Sequence, residues 1–188
     1  MDVNVKSSNH TLSEDVDESY TLTIAAPRAT ITAESVYGAL YGLESFSQLV
    51  ERGSLVNGTT IKDEPRYKFR AVMIDTARHF YHKEVILQHL DAMAYAKMNV
   101  LHCTLPAFPH PPRPRSPPAA ALTTLGVRIA GHIVDSDAFP FESTTFPAMS
   151  QEGAYSFNHI YTHHDVSDVI KYAKDRGIRE PRPAPPLL

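Results

Sequence analysis

The apolar positions fall into a few stretches of clear period, separated by two stretches that have none. Tyr20, Leu22 and Ile24 alternate with Thr21, Thr23 and Ala25, the period of a half-buried strand. After the turn Ala26-Pro27-Arg28 a second short strand runs from Ala29 to Ala33 around Ile31, so the pair predicts a hairpin. Val36, Leu40, Leu43 and Phe46–Leu49 then make one apolar helical stripe, with Ser35 or Thr32 as its cap and Gly53 as its end. Asn57-Gly58 predicts a turn and Thr60-Ile61 a return to the sheet. Residues 19 to 62 thus read as a small α+β unit of two or three strands and one helix, small for an independent core and shaped like the second half of something larger. The first 18 residues are polar and acidic and are expected to be a loop or frayed end.

Asp63-Glu64-Pro65-Arg66-Tyr67 marks a boundary, and the pattern then changes period. Ala71–Ile74 is a short apolar run that reads as a buried strand and leads straight into the polar cluster Asp75, Thr76, Arg78 and His79. A helical stripe follows from His82 to Met98, carried by Val85, Ile86, Leu90, Met93, Ala94 and Met98, and Asn99-Val100-Leu101-His102 begins another strand. Strand, long crossover helix and strand predict a βαβ unit and a parallel sheet. At Cys103 the period stops for 29 residues, to Gly131, and it resumes at His132-Ile133-Val134-Asp135. A polar-aromatic loop holds Phe139-Pro140-Phe141-Glu142 and Thr145-Phe146-Pro147. Thr162-His163-His164-Asp165 has the form of a capping box, with Asp in place of the usual Glu. It opens a helix with Val166, Val169, Ile170 and Ala173 on one face, closed by Gly177. Ile178 starts a third strand that Glu180-Pro181-Arg182-Pro183 prevents.

Composition sharpens this picture at one point. Of the 15 prolines, seven lie in Pro106–Pro118 and four in Pro181–Pro186, so neither stretch can be a regular helix or a central strand. Otherwise it mainly excludes. A net charge of −3, from 18 Lys+Arg against 21 Asp+Glu, gives no reason to expect nucleic acid or an anionic membrane as partner. The single cysteine, Cys103, forbids an internal disulfide and reads as a plain thiol. No apolar run is long enough to span a membrane, and the polar start, Met1 to Glu14, is not a signal peptide. Two sequons, at Asn9 and Asn57, are candidate glycosylation sites.

Ile61-Lys62-Asp63-Glu64-Pro65-Arg66-Tyr67-Lys68-Phe69-Arg70 followed by Met73-Ile74-Asp75-Thr76-Ala77-Arg78-His79-Phe80 resembles the opening of the catalytic barrel of glycoside hydrolase family 20, the β-N-acetylhexosaminidases. The resemblance continues in Lys97–His102, His132–Asp135, Phe139–Ser143, Gly153-Ala154-Tyr155, His159–Thr162 and Tyr172–Arg179. It covers residues from about 19 to 102 and 132 to 179. It implies an α/β fold: a partial TIM barrel of the first two to three β/α units, preceded by part of a small non-catalytic α+β domain. The expected organisation is a polar tail over 1–18, α+β residues 19–64, barrel residues 65–179 interrupted by a proline-rich insert at 103–131, and a proline-rich tail at 180–188. Where the family has a single tryptophan between the residues matching His102 and His132, this chain has Cys103 to Gly131. The departures coincide with the proline-rich stretches, so the expectation is a truncated and interrupted form of the family.

The candidate site residues follow from barrel logic, in which chemistry sits at the C-terminal ends of strands. Arg78 is the first candidate. Its guanidinium offers five donors in a rigid fork, suited to vicinal sugar hydroxyls, and the matching arginine of the family grips the terminal sugar. The alternative is a structural ion pair with Asp75. Asp135 matches the family aspartate that ends the second strand near the sugar; the alternative is a cap for residues 136 to 138. Asp75, His79 and Glu142 read as supporting residues rather than direct ligands. Adjacent His163 and His164 point different ways and no further ligand is spaced to join them, and His79 and His82 meet the same objection, so no metal is expected. No cofactor is expected either.

The resemblance implies removal of terminal β-linked GlcNAc or GalNAc with the substrate's own acetamide oxygen as nucleophile, so that glycans ending in N-acetylhexosamine are the expected ligands. The family's catalytic Asp-Glu pair has no counterpart here, which implies an inactive chain. It also implies a secretory location, in lysosome, vacuole or outside the cell. Two other readings stay open: a non-catalytic module that binds a glycan or dimerises with itself or a full-length relative, and a chain with no stable fold.

Overall fold

The structure, a computed structural model, describes residues 1–7, 9, 11–51, 54–55, 58–104, 138–144 and 147–179. The chain divides into two compact units, Met1–Arg70 with Ala94–Lys97, and Ala71–Met93 with Met98–Leu188.

The first unit is a four-stranded sheet covered by one helix. Its strands are β1 (Asp2–Val5), β2 (Tyr20–Ala25), β3 (Arg28–Ala33) and, after a helix α1 (Val36–Gln48) and the short pair β4 (Val50–Glu51) and β5 (Ser54–Leu55), β6 (Thr59–Asp63). The order is β1-β3-β2-β6. The expected hairpin is present, with Leu22 opposite Ile31, and β6 pairs antiparallel to β2 with Ile61 opposite Leu22. Alternation sends Tyr20, Leu22, Ile24, Ala29, Ile31 and Ala33 to one face, where Ala39 and Tyr41 of α1 cover them. The helix comes close because of Gly42: a Cβ there would stand 2.8 Å from the Ile31 side chain. Ser35 is the cap, its Oγ accepting from the Gly38 amide at 3.1 Å.

Two expectations fail in this unit. Asp2–Val5 is not a frayed end but a strand parallel to β3. All four of its side chains are exposed and it pairs through its backbone, and the alternation of Val3 and Val5 with Asp2 and Asn4 is too short within a polar stretch to announce it. The helix stops at Gln48 rather than at Gly53, with Leu49 as its cap and Val50 already paired to Leu55. Gly53 and Asn57 lie outside the described residues.

Two polar clusters close the unit. Arg70 donates to Glu18 Oε2 at 2.7 Å, to the Tyr67 carbonyl at 2.7 Å and, through Nε, to the Lys97 carbonyl at 2.7 Å. Lys97 in turn donates to Tyr20 Oη at 2.9 Å, Ser45 Oγ at 2.7 Å and Asp63 Oδ2 at 2.9 Å. Its hydrogen bonds hold the Asp63 carboxyl below the usual range.

The second unit holds a parallel pair, β7 (Ala71–Asp75) and β8 (Val100–Thr104), joined by the crossover helix α2 (Lys83–Tyr95). The register sets Ala71 against Val100 and Asp75 against Thr104. This is the expected βαβ unit. The helix is shorter than its apolar stripe, ending at Tyr95 instead of Met98, because Lys97 takes a left-handed conformation (φ 54°). A six-residue helix α3 (Ala148–Gly153) and then α4 (His163–Lys174) follow. The α4 capping box forms as expected: Thr162 Oγ1 accepts from the Asp165 amide and Asp165 Oδ2 from the Thr162 amide, each at 3.1 Å. Gly177 ends the helix region at φ 71°. Ile178 is buried and Arg179 then pairs in parallel with Val100, its amide donating to Asn99 O at 2.8 Å and its carbonyl accepting from Leu101 at 3.0 Å. A third parallel position is therefore started beside β8. Ile86, Leu90 and Met93 of α2, Ile74, Leu101, Tyr161, Ala173 and Ile178 make the core. On the outside Arg176 joins α4 to α2, with Nε on Asp91 Oδ1 at 2.7 Å and its guanidinium 3.3 Å over the Tyr172 ring. Among the described residues no helix is long and apolar enough to cross a membrane.

Candidate functional site

The C-terminal end of β7 is where the expected site residues collect. Asp75 is the last residue of the strand, and the chain must leave the sheet there with several backbone groups unpaired. The Asp75 carboxylate supplies the partners. Its Oδ1 accepts from the amides of Ala77 and Arg78, each at 3.1 Å, and its Oδ2 lies 3.5 Å from Arg78 Nε. Thr76 and Ala77 are buried beneath the turn, whereas the Arg78 side chain is 57 % exposed and that of Asp75 28 %. The ion pair given as the alternative for Arg78 is therefore present. It engages Nε and leaves the geometry of an exposed guanidinium at the end of a parallel strand. Exposure makes such a pair weak in itself.

The turn is buttressed from a second segment. The Ala138 amide donates to Ala77 O at 3.0 Å, and Tyr155 Oη donates to Arg78 O at 2.7 Å, with Ala77 O at 3.3 Å as its weaker partner. That segment is itself stapled, since the Phe139 amide donates to Gly153 O at 2.7 Å. His79 is exposed at the turn, its ring edge-on to Tyr81 at 4.9 Å. Behind it Phe80 stacks on Tyr161 at 4.7 Å and meets His159 edge-on at 4.9 Å. Tyr161 is buried and its hydroxyl donates to the Tyr81 carbonyl; burial pushes that phenol well up from its ordinary value.

Glu142 stands apart from this turn. Its amide donates to Tyr161 O at 3.0 Å and its Oε2 accepts from the His163 amide at 3.1 Å, which puts a carboxylate at the first residue of α4. An anion there meets unpaired amides and the positive end of the helix. Asp135 and the residues on either side of it lie outside the described residues. So does Asn57; Asn9 is exposed, its Oδ1 accepting from the Thr11 amide at 2.9 Å. Among the described residues no three His, Cys, Asp or Glu side chains stand where they could hold a metal ion. His163 has its amide on Glu142, and His164 Nδ1 lies 3.1 Å from Asp168.

Sequence reasoning missed Tyr155. It sits 77 positions from Arg78, in an aperiodic loop, and its only signal was its place in the stretch Gly153-Ala154-Tyr155.

A family model described as "Glycosyl hydrolase family 20, catalytic domain" matches residues 67–106 and 128–179, and one described as "beta-acetyl hexosaminidase like" matches residues 1–49. The stretch between the two catalytic-domain matches lies inside the proline-rich insert read from the sequence. The chain is 44 % identical over 167 residues to human beta-hexosaminidase subunit beta, covering 87 % of this chain and 25 % of that protein. It is 41 % identical to mouse beta-hexosaminidase subunit alpha, covering 86 % and 26 %. Among solved structures it is similar to a chitobiase of Flavobacterium johnsoniae, with a TM-score of 0.71 and 31 % identity over 95 % of this chain and 23 % of the other. The chain spans about a quarter of the length of the curated relatives it matches.

Proposed function

The chain belongs to glycosyl hydrolase family 20, and on that premise we propose that residues 65–179 are the opening part of a β-N-acetylhexosaminidase barrel, with residues 19–64 part of the non-catalytic domain before it. In the whole enzyme so proposed, the acetamide oxygen of a terminal β-linked GlcNAc or GalNAc attacks its own anomeric carbon. The glycosidic bond breaks, the leaving oxygen takes a proton from a glutamate, and water then opens the cyclic intermediate. An aspartate orients the acetamide group. Arg78 has the part of gripping the hydroxyls of the terminal sugar, with Asp75 and His79 supporting it and Asp135 adding a second polar contact. Glu142 has the part of a loop support.

One observation carries this reading: an exposed guanidinium at the C-terminal end of a parallel barrel strand, anchored through its backbone and Nε by Asp75. The same reading holds that these 188 residues by themselves bind the sugar but do not cleave the bond, because no residue of the chain matches the family's aspartate–glutamate pair. Loss of a general acid alone lowers a rate on the order of 10²–10⁴-fold. The purified chain is therefore expected to leave a chromogenic N-acetylglucosaminide intact. Turnover that disappears on Arg78→Ala would refute the inactivity. A secretory location and glycosylation at Asn9 and Asn57 belong to the same proposal, supported at Asn9 by its exposure. A second reading, pairing with a longer relative, is favoured by the two relatives being named as subunits.

A further inference from the structure

We infer that Tyr155 is a positioning residue for Arg78; the inference rests on the sugar-gripping role proposed for that arginine. The direction in which a side chain leaves the backbone is set by the two peptide units on either side of its Cα. At Arg78 both units are held by side chains. The Asp75 carboxylate accepts from the amide on one side at 3.1 Å, and the Tyr155 hydroxyl donates to the carbonyl on the other at 2.7 Å. Each unit also carries a backbone hydrogen bond, His79 N–H to Asp75 O at 3.4 Å and Ala138 N–H to Ala77 O at 3.0 Å, so removing the tyrosine hydroxyl leaves the Arg78 carbonyl unit on the longer of its two holds; that unit then turns over a wider range and carries the half-exposed side chain with it.

The tyrosine can hold the carbonyl because its own segment is fixed. Phe139 donates to Gly153 O at 2.7 Å, the Ala154 amide donates to Ser150 O at 3.1 Å, and Ala138 donates to Ala77 O at 3.0 Å. A Cβ at Gly153 would stand 3.2 Å from the Phe139 Cβ, so the end of α3 and the Phe139 segment pass more closely than a side chain at Gly153 would ordinarily allow. Tyr155 is itself 55 % exposed, so its burial does not explain where it sits, and the hydroxyl contact at its far end becomes the reason for a tyrosine rather than a phenylalanine.

The test uses the full chain with N-acetylglucosamine as the probe. Tyr155→Phe keeps the ring and removes the hydroxyl. It is expected to weaken binding measured by NMR titration by about threefold to tenfold, the range for one hydrogen bond. It is also expected to move the Arg78 Nε–Hε signal toward that of a freely rotating guanidinium while the thermal midpoint stays within a degree or so. Asp75→Asn, which loosens the opposite hold, is expected to move the same signal. A signal and an affinity both indifferent to Tyr155→Phe overturn the inference. A signal that responds while the unsubstituted chain binds no sugar overturns the sugar-gripping role instead and leaves the hold of Tyr155 on Arg78 standing.

Discussion

Arg78 and Lys97 are both cations at the end of an element, and the chain treats them in opposite ways. The Arg78 side chain is more than half exposed and pairs with Asp75. Lys97 spends all three ammonium donors on Tyr20, Ser45 and Asp63, with the Tyr20 ring 4.9 Å away. Burial pulls its pKa down, but those hydrogen bonds outweigh it and hold the group above its ordinary value. Lys97 also carries a left-handed backbone, where a glycine is the usual occupant. Lys97→Ala and Lys97→Gly both delete the ammonium, but only alanine keeps the backbone penalty. Lys97→Ala is therefore expected to be the less stable of the two by about 1 kcal/mol in urea unfolding. Equal stability would show that the backbone at 97 relaxes. The difference between these residues also explains what could be read beforehand. Arg78 stood in a short sequence run with a strand before it and a helix after it, and that order is local. The partners of Lys97 come from positions 20, 45 and 63, and the Tyr155 that holds Arg78 comes from 77 positions away, so no local pattern announces either.

The same contrast holds between elements. The start of α4 was legible because a capping box is written in four consecutive residues, Thr162 to Asp165. β1 was not, because its alternation, Val3 and Val5 against Asp2 and Asn4, spans only four exposed residues. At α4 the cap is reinforced from α2. Lys83 Nζ lies 2.7 Å from Asp165 and 3.1 Å from Asp168. The hydrogen bond from Lys83, followed by that from Thr162, pushes the Asp165 carboxyl down to about 2. A carboxyl lowered on folding stabilises the fold above its unfolded pKa, about 4, and that contribution is lost as pH falls toward 2. Thr162→Ala is expected to cost about 1 kcal/mol at neutral pH in chemical denaturation. The acid loss between about pH 4 and 2 should shrink in Asp165→Asn. An unchanged acid limb in that variant would assign the loss to other carboxyls.

For the molecule as a whole, the parallel pair poses the main question. A barrel closes on eight strands, yet among the described residues β7 pairs with β8 alone and Met73 on it is 63 % exposed. A pair of strands is not stable by itself and tends to acquire neighbours. The chain is accordingly expected to co-elute with a full-length family member on size exclusion; a sharp monomer peak beside an unshifted relative would exclude pairing. The first unit has a different consequence, set by Arg70 and Lys97. The Arg70 side chain caps a carbonyl 27 residues later, and Ala94–Lys97 belong to a unit that otherwise ends at Arg70. On the ribosome, then, this unit cannot be finished when its last strand leaves the exit tunnel. It must wait, with Asp63, Tyr20 and Ser45 still lacking their cation, until the whole of α2 has been made.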